Sequence, residues 1–287
     1  MSLSSLPSVS PAHPRKADDM PLTPTERRLC IGGWVAMFSW FAAVLWGQMA
    51  MVYLGWGPDG HAHPFADARS WWVIPNAGDV TSNIPLLIAG AWGIWATATK
   101  RIRPLHESTR LALLVFFAGL VLTSAGSAMY HWAPDAFRLV LDRLGMAIAF
   151  AGVLGLAMAE RVGAQTARNT VMAVLVLATL SAVMPFTHAN PLPWVVVQFG
   201  GMAFLAWAAA RRPLPTALGV SLGSVIAWYA LAKMLELGDG FIFEATGRAV
   251  AGHSLKHLAA AMAAVPVIRA LRQNAHTPTT PTTPVAQ

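Results

Sequence analysis

The sequence predicts an all-α fold built from membrane-spanning helices, and three observations lead to this prediction. Hydrophobic residues make up 55% of the 287-residue chain and charged residues only 11%, whereas a soluble domain carries roughly 25% charged residues. The mean hydropathy is +0.51. Apolar runs of about 20 residues, the length that crosses a bilayer as a helix, recur along the chain. The net charge of +7 comes from basic residues that lie mostly between these runs, so we expect no nucleic-acid partner.

Eight runs meet the length of a membrane span, and together they predict a polytopic membrane protein. The predicted spans are 29–53, 82–99, 111–132, 139–160, 169–186, 193–210, 216–237 and 249–271. The second run is the shortest and the most ambiguous. Residues 1–27 combine Pro, Ser and mixed charge without apolar periodicity, which predicts a disordered N-terminal tail. Residues 273–287 are rich in Thr and Pro and predict a second disordered tail.

The distribution of basic residues predicts the orientation of these spans. Lys and Arg precede the first span, follow the second, fourth and sixth, and end the eighth. The alternate loops carry Asp and Glu with few basic residues. Because loops rich in Lys and Arg stay in the cytoplasm, we expect both termini to be cytoplasmic and the chain to lie in the cell (inner) membrane.

Five polar residues in or beside the apolar runs predict a functional site. His253 and His257 are four residues apart at the start of the last span, so they share one helix face. Ser127 and His131 have the same spacing at the outer end of the third span, and Asp142 lies near the outer start of the fourth. The three helices therefore bring these residues to a similar depth. Ionisable residues inside spans usually face the bundle interior and mark function.

These residue types fit a catalytic zinc site. Zinc in hydrolases typically takes three protein ligands and keeps one position for water, and neutral imidazoles suit it. We therefore predict that His131, His253 and His257 bind Zn²⁺. Asp142 would act as general base and acid, or would orient an imidazole. Ser127 would donate a hydrogen bond to a developing oxyanion.

Simpler interpretations of the same residues stay open. Histidines at helix ends also hydrogen-bond backbone carbonyls or lie among lipid headgroups. Asp142 could pair with Arg143, although adjacent residues point in different directions on a helix. Lys233 and Glu236 are three residues apart in the seventh span, and they are expected to form an ion pair within the helix or to contact headgroups.

The arrangement of these motifs resembles that of the alkaline ceramidases, which belong to the CREST group of seven-helix membrane hydrolases. The similarity extends over about residues 70–272. Ser127-Ala-Met-Tyr-His131, Asp142 and His253-Ser-Leu-Lys-His257 match the family pattern in order and spacing. Asp79-Val-Thr-Ser82-Asn83-Ile-Pro is similar to the Asn-x-x-Ser-Asn-x-Pro opening of the first core helix, with Asp79 in place of the Asn. The stretch from Tyr229 through His257-Leu-Ala-Ala is similar to bacterial members.

The resemblance implies a seven-helix CREST-type catalytic domain over 55–272, with its preceding outer loop, and an extra N-terminal helix over 28–54. It implies the zinc and catalytic roles given above, with the site towards the extracytoplasmic side. The implied reaction is hydrolysis of ceramide or another N-acyl membrane lipid to a fatty acid and an amine. Eukaryotic relatives carry an acidic Asp-Trp-x-Glu-x-Asn calcium motif. The matching region, 67–76, lacks the Glu, so a calcium site is not expected.

Two further hypotheses fit the same residues. A lipid ester hydrolase of the same superfamily would use the same metal and pass through a similar tetrahedral oxyanion. A receptor-like or structural membrane protein would hold the metal only to stabilise its bundle. A transporter is less favoured, because the sequence contains no paired broken helices and no internal repeat.

Overall fold

The described part of the chain, residues 24–53, 65–99 and 105–276 of a computed structural model, is all-helical. It contains no strand, only an isolated bridge between Trp71 and Ile74. The predicted all-α class is therefore confirmed over these residues. The helices are α1 (Pro24–Tyr53), α2 (Ala77–Thr81), α3 (Ile84–Ala98), α4 (Glu107–Trp132), α5 (Ala136–Arg161), α6 (Ala164–His188), α7 (Leu192–Ala209), α8 (Leu222–Leu237), α9 (Asp239–Ala245), α10 (Gly252–Met262) and α11 (Val265–His276).

Six of the described helical segments are long and apolar enough to cross a membrane, which indicates a membrane-embedded chain. They are Arg27–Tyr53, Glu107–Trp132, Ala136–Arg161, Ala164–His188, Leu192–Ala209 and Gly252–Ala275. Helices α3 and α8 have 15 and 16 residues and are shorter than the roughly 20 residues that span a bilayer. The predicted total of eight spans therefore stays a prediction at these two helices.

Helix boundaries differ from the predicted spans where proline interrupts the backbone. The predicted span 249–271 is divided into α10 and α11, and Pro266 lies in the first turn of α11. Proline has no N–H to donate, so it is favoured in the first turn of a helix, whereas in a helix interior it removes a hydrogen bond and kinks or breaks the helix. Pro213 and Pro215 likewise precede α8, which begins at Leu222 rather than at residue 216.

The described parts of the two predicted tails are helical. Helix α1 begins at Pro24, and α11 ends at His276. Residues 1–23 and 277–287, which hold the remainder of both predicted tails, lie outside the described residues. By contact the chain divides into two compact units, Met1–Ser39 and Trp40–Gln287.

The second unit includes the C-terminal half of α1, which contacts α6 and the turn after it. The Trp40 indole donates a hydrogen bond to the Ser181 hydroxyl at 2.7 Å. The Asn190 amide donates to the Ala43 carbonyl at 2.9 Å, and Gly47 packs directly against Asn190. These contacts satisfy polar groups that apolar surroundings would otherwise leave without partners.

Helices α4 and α5 pack with their backbones in close contact. Gly119 and Gly126 of α4 lie seven residues apart, as do Gly145 and Gly152 of α5. A Cβ added at any of these four glycines would collide with the backbone of the opposite helix. Small residues at an interface allow helices in membranes to approach this closely. This glycine seam sets the register between Ser127, next to Gly126, and Asp142, whose backbone N lies against it.

At one end of the second unit, named here the site end, α4 finishes and α5 and α10 begin, and α8 also ends there. At the opposite end, α5 closes with Glu160, which is fully buried. Its carboxylate accepts hydrogen bonds from the backbone N–H groups of the segment before α8, those of Leu218, Gly219 and Val220, at 2.6 to 3.0 Å. These bonds satisfy donors that the proline-containing segment cannot pair within a helix.

Candidate metal centre

Three buried histidines meet at the site end. His131 is 1% exposed, His253 8% and His257 4%. The Nε2 atoms of His131 and His253 lie 3.2 Å apart, and one potential ligand atom from each of the three rings lies within 4.8 Å of the others. Two nitrogens bound to one tetrahedral ion at about 2.0–2.1 Å are about 3.3 Å apart. This group of imidazoles could therefore bind a metal ion.

Helix geometry explains why these rings converge. His131 is the second-last residue of α4, and His253 and His257 lie on successive turns of α10, where a spacing of four places them on one face. The start of α10 is fixed by Asp239, whose carboxylate accepts from the His253 N–H at 2.8 Å. The other oxygen of Asp239 accepts from the Ala66 N–H at 3.2 Å, so one side chain ties three segments together.

Ser82 determines which nitrogen of His257 faces the centre. Its hydroxyl lies 3.0 Å from the Asp79 carbonyl, which can only accept, and 2.8 Å from Nδ1 of His257. Because the hydroxyl proton goes to the carbonyl, the Ser82 oxygen accepts from Nδ1–H. The lone pair of His257 is then on Nε2, directed towards the other histidines. The sequence analysis assigned no role to Ser82, which lies inside the motif that begins at Asp79.

An aromatic ring covers two of the histidines. The Phe65 ring is 4.8 Å from the His131 ring and 5.6 Å from the His253 ring, centroid to centroid, with both pairs edge to face. The His131 backbone carbonyl accepts from the Asn76 amide at 2.8 Å. No described atom hydrogen-bonds Nδ1 of His131. The apolar cover from Phe65 keeps bulk water from this side of the group, where the local dielectric is lowered.

Ser127 and Asp142 lie beside the imidazoles, as the sequence analysis expected. Ser127 is 2% exposed, and its hydroxyl lies 3.3 Å from Nε2 of His257. The half-buried Asp142 carboxylate interacts with the Ser127 hydroxyl, and Lys256 and Arg143 act on it through their charge. The structure therefore brings all five residues singled out from the sequence to one place.

A second buried acid lies behind α10. Asp79, which precedes the predicted span 82–99, is fully buried. One of its carboxylate oxygens accepts from the Ser254 hydroxyl at 2.7 Å, and the other has no described partner. Burial raises the pKa of Asp79 to about 6, because removal from water disfavours the charged form. The role of Asp79, left open by the sequence, is thus to anchor Ser254 between the two helical histidines.

Charged residues of α8 and α10 form a cluster next to the site. Lys233 donates to one oxygen of the Glu236 carboxylate at 2.7 Å, which confirms the ion pair predicted within α8. Lys256 of α10 donates to the other oxygen, also at 2.7 Å. The sequence analysis did not anticipate this second partner, because it depends on how α8 and α10 pack.

A cavity of about 700 Å³ borders the site end. Its wall includes the hydroxyls of Ser82 and Ser254, which also contact His257 and Asp79, together with apolar side chains of Trp71, Ile84 and Leu258. The cavity therefore shares with the histidine group the residue Ser82, which contacts His257.

The chain was compared with protein-family models, curated proteins and solved structures, and none of them matches it.

Proposed function

We propose that this chain is an integral-membrane, zinc-dependent hydrolase that cleaves the amide bond of ceramide or a related N-acyl lipid. The observation that carries the proposal is the buried group of His131, His253 and His257, with a serine and a carboxylate beside it. A metal that served only to stabilise the bundle would not need these two further groups.

The donor set favours zinc as the metal. The group offers three nitrogen ligands and no sulfur, and imidazole suits zinc. Three protein ligands leave one position open, which is typical of catalytic rather than structural zinc. When bound, zinc polarises a carbonyl group and activates water for attack. The calcium motif of the eukaryotic relatives is incomplete in the matching region, 67–76, so no calcium site is proposed.

Asp142 and Ser127 take the two roles that amide hydrolysis requires. Asp142 accepts a proton as water adds to the carbonyl carbon, and it returns the proton to the leaving nitrogen as the C–N bond breaks. The products are a fatty acid and an amine. Ser127 donates a hydrogen bond to the oxygen that becomes negatively charged during the addition. Its position between His257 and Asp142 supports this role.

The lipid substrate is inferred from the surroundings of the site and from the resemblance to the alkaline ceramidases. Apolar helices surround the site, so a substrate that resides in the bilayer reaches it without leaving the membrane. The distribution of basic residues supports a position of the site end on the extracytoplasmic side of the cell (inner) membrane. The region 67–76 lacks the glutamate of the eukaryotic calcium motif, so the substrate preference of the eukaryotic relatives is not carried over to this chain.

The test compares the wild type with His257→Ala in purified full-length protein. We expect about one zinc per wild-type chain, fatty-acid release from an N-acyl sphingoid lipid, and loss of both in the variant. His188→Ala is the matched control, because His188 is an exposed helix-end histidine that contacts Thr187; it should keep both properties.

Three outcomes would contradict the proposal in different ways. A wild type that holds no zinc, even after reconstitution, would eliminate the metal mechanism. Zinc binding with release of fatty acid from an ester lipid only, and not from the amide, would replace the amidase by an ester hydrolase. Zinc binding without hydrolysis of either lipid would favour a metal with a structural role.

A further inference from the structure

Helix α10, which carries two of the three histidines, is held against α8 by one ion pair between their side chains. Lys256 lies next to His257 in the sequence, and its Nζ is 2.7 Å from a Glu236 oxygen. Its side chain is 19% exposed. A half-buried ion pair of this kind is sensitive to geometry, because the charges are costly to desolvate unless they meet closely.

The backbone contact between the two helices does not by itself fix the rotation of α10. Gly252, the first residue of α10, packs against the Leu235 carbonyl, and the Asp239 carboxylate caps the His253 N–H. Both contacts act on the first turn. The Lys256–Glu236 pair lies about one turn further along α10 and holds this turn to α8. On the side of α2, Ser254 contacts Asp79 and His257 contacts Ser82, so the ion pair is the side-chain contact that fixes the second turn relative to α8.

Lys233 provides an internal comparison. It donates to the second oxygen of the same Glu236 carboxylate at 2.7 Å, but it belongs to α8 and lies three residues before Glu236. Its side chain is 41% exposed. The two lysines thus donate to the same carboxylate at the same distance. They differ in that the Lys256 pair joins two helices, whereas the Lys233 pair lies within one helix.

We propose that Lys256 is a positioning residue, which through its ion pair with Glu236 sets the rotation of α10 and so aligns His253 and His257 for the metal. This inference rests on the metal site proposed above. This positioning effect is distinct from the direct electrostatic effect of the Lys256 charge on a bound metal ion. The Lys256 ammonium acts electrostatically on both His131 and His257, and repulsion between this ammonium and a bound cation would weaken metal binding. Removal of the positive charge alone would therefore tighten metal binding, whereas loss of alignment weakens it.

The experiment measures the zinc dissociation constant of full-length protein by competition with a chelator for Lys256→Met and Lys233→Met. Each substitution leaves Glu236 with one lysine partner, so neither creates an unpaired buried carboxylate. We expect Lys256→Met to weaken zinc binding about 10- to 100-fold, the range for loss of an outer-shell partner. Lys233→Met should change it by less than about 3-fold. Lys256→Arg, which can still reach Glu236, should restore most of the affinity.

Equal effects of the two methionine variants, unchanged affinity in Lys256→Met, or tighter zinc binding in that variant would each overturn the inference. A wild type that binds no zinc would instead refute the metal site itself, so the two failures are distinguishable. Thermal unfolding of the metal-free proteins checks that each variant folds. If Lys256→Met does not fold, Lys256→Gln, which keeps a polar side chain, is measured with the same outcomes.

Discussion

Ser82 illustrates how one hydroxyl can orient the ring of a proposed metal ligand without binding the metal itself. Its contacts with the Asp79 carbonyl and with Nδ1 of His257 fix the imidazole in a single tautomer and orientation. A neutral imidazole offers only one lone pair, so the wrong tautomer would present an N–H to the ion. The serine would therefore act on the proposed metal through the ring of His257.

Replacement of Ser82 by alanine should weaken zinc binding about 10-fold or more, as expected for loss of an outer-shell partner, while the fold is retained. The measurement is zinc titration of the purified variant. Ser221→Ala is a suitable control, because Ser221 is exposed and bonds only Ser224 among the described side chains. An unchanged zinc affinity in Ser82→Ala would show that another contact holds the His257 tautomer.

For individual residues, the sequence predicted the candidate metal ligands but not the residues that hold those ligands in place. The shared face of His253 and His257 follows from helix periodicity, and the similar depth of His131 follows from the predicted spans and their orientation. The structure brings these three together. Ser82 and Lys256 lay inside recognised motifs, but their partners belong to other helices. No periodicity within one helix specifies a contact with another, so these roles became visible only from the packing.

Among the helices, the glycine seam between α4 and α5 is the contact that places Ser127 beside Asp142. Each of the four seam glycines faces backbone of the opposite helix with no room for a methyl group. The predicted spans contained both helices, yet hydropathy gives no information on which face of each helix meets the other. The breaks before α8 and between α10 and α11 were missed for a related reason, since an apolar run conceals the prolines that end a helix.

Gly126→Ala should separate α4 from α5 and destabilise the protein by about 1–3 kcal/mol, the usual cost of overpacking. The loss of hydrolytic activity should be larger than the loss of folded protein accounts for, because the added methyl group displaces the backbone of Asp142. Unfolding in detergent and fatty-acid release are the two measurements.

Gly200→Ala serves as the matched control for this substitution. Gly200 lies inside α7, and an added Cβ would meet nothing within 4 Å. Alanine there should be neutral or stabilising by up to about 1 kcal/mol, because it restricts the unfolded chain. If both alanine variants behaved alike, close packing at the seam would not be what positions Asp142.

For the whole molecule, the distribution of charge predicts that the site end and the two termini lie on opposite sides of the membrane. Labelling tests this in a chain whose single cysteine, Cys30, is replaced by serine. A cysteine at the exposed Glu244, near the site end, should react with an impermeant maleimide in right-side-out vesicles. A cysteine at the exposed Arg212 should react only after permeabilisation. The reverse labelling pattern would show that the protein has the opposite orientation in the membrane.

The proposed metal site would also have a consequence for the biosynthesis of the protein. His131 and His253 are separated by 122 residues, and ribosomes add about 5–20 residues per second, so about 6 to 25 seconds pass between the synthesis of the first ligand and the second. During this interval the nascent chain holds only His131 of the three proposed ligands, which is too few to retain an ion at this site. Under the proposed function, metal loading would follow insertion of the final span. A product that stops before α10 would lack two of the three proposed ligands, His253 and His257.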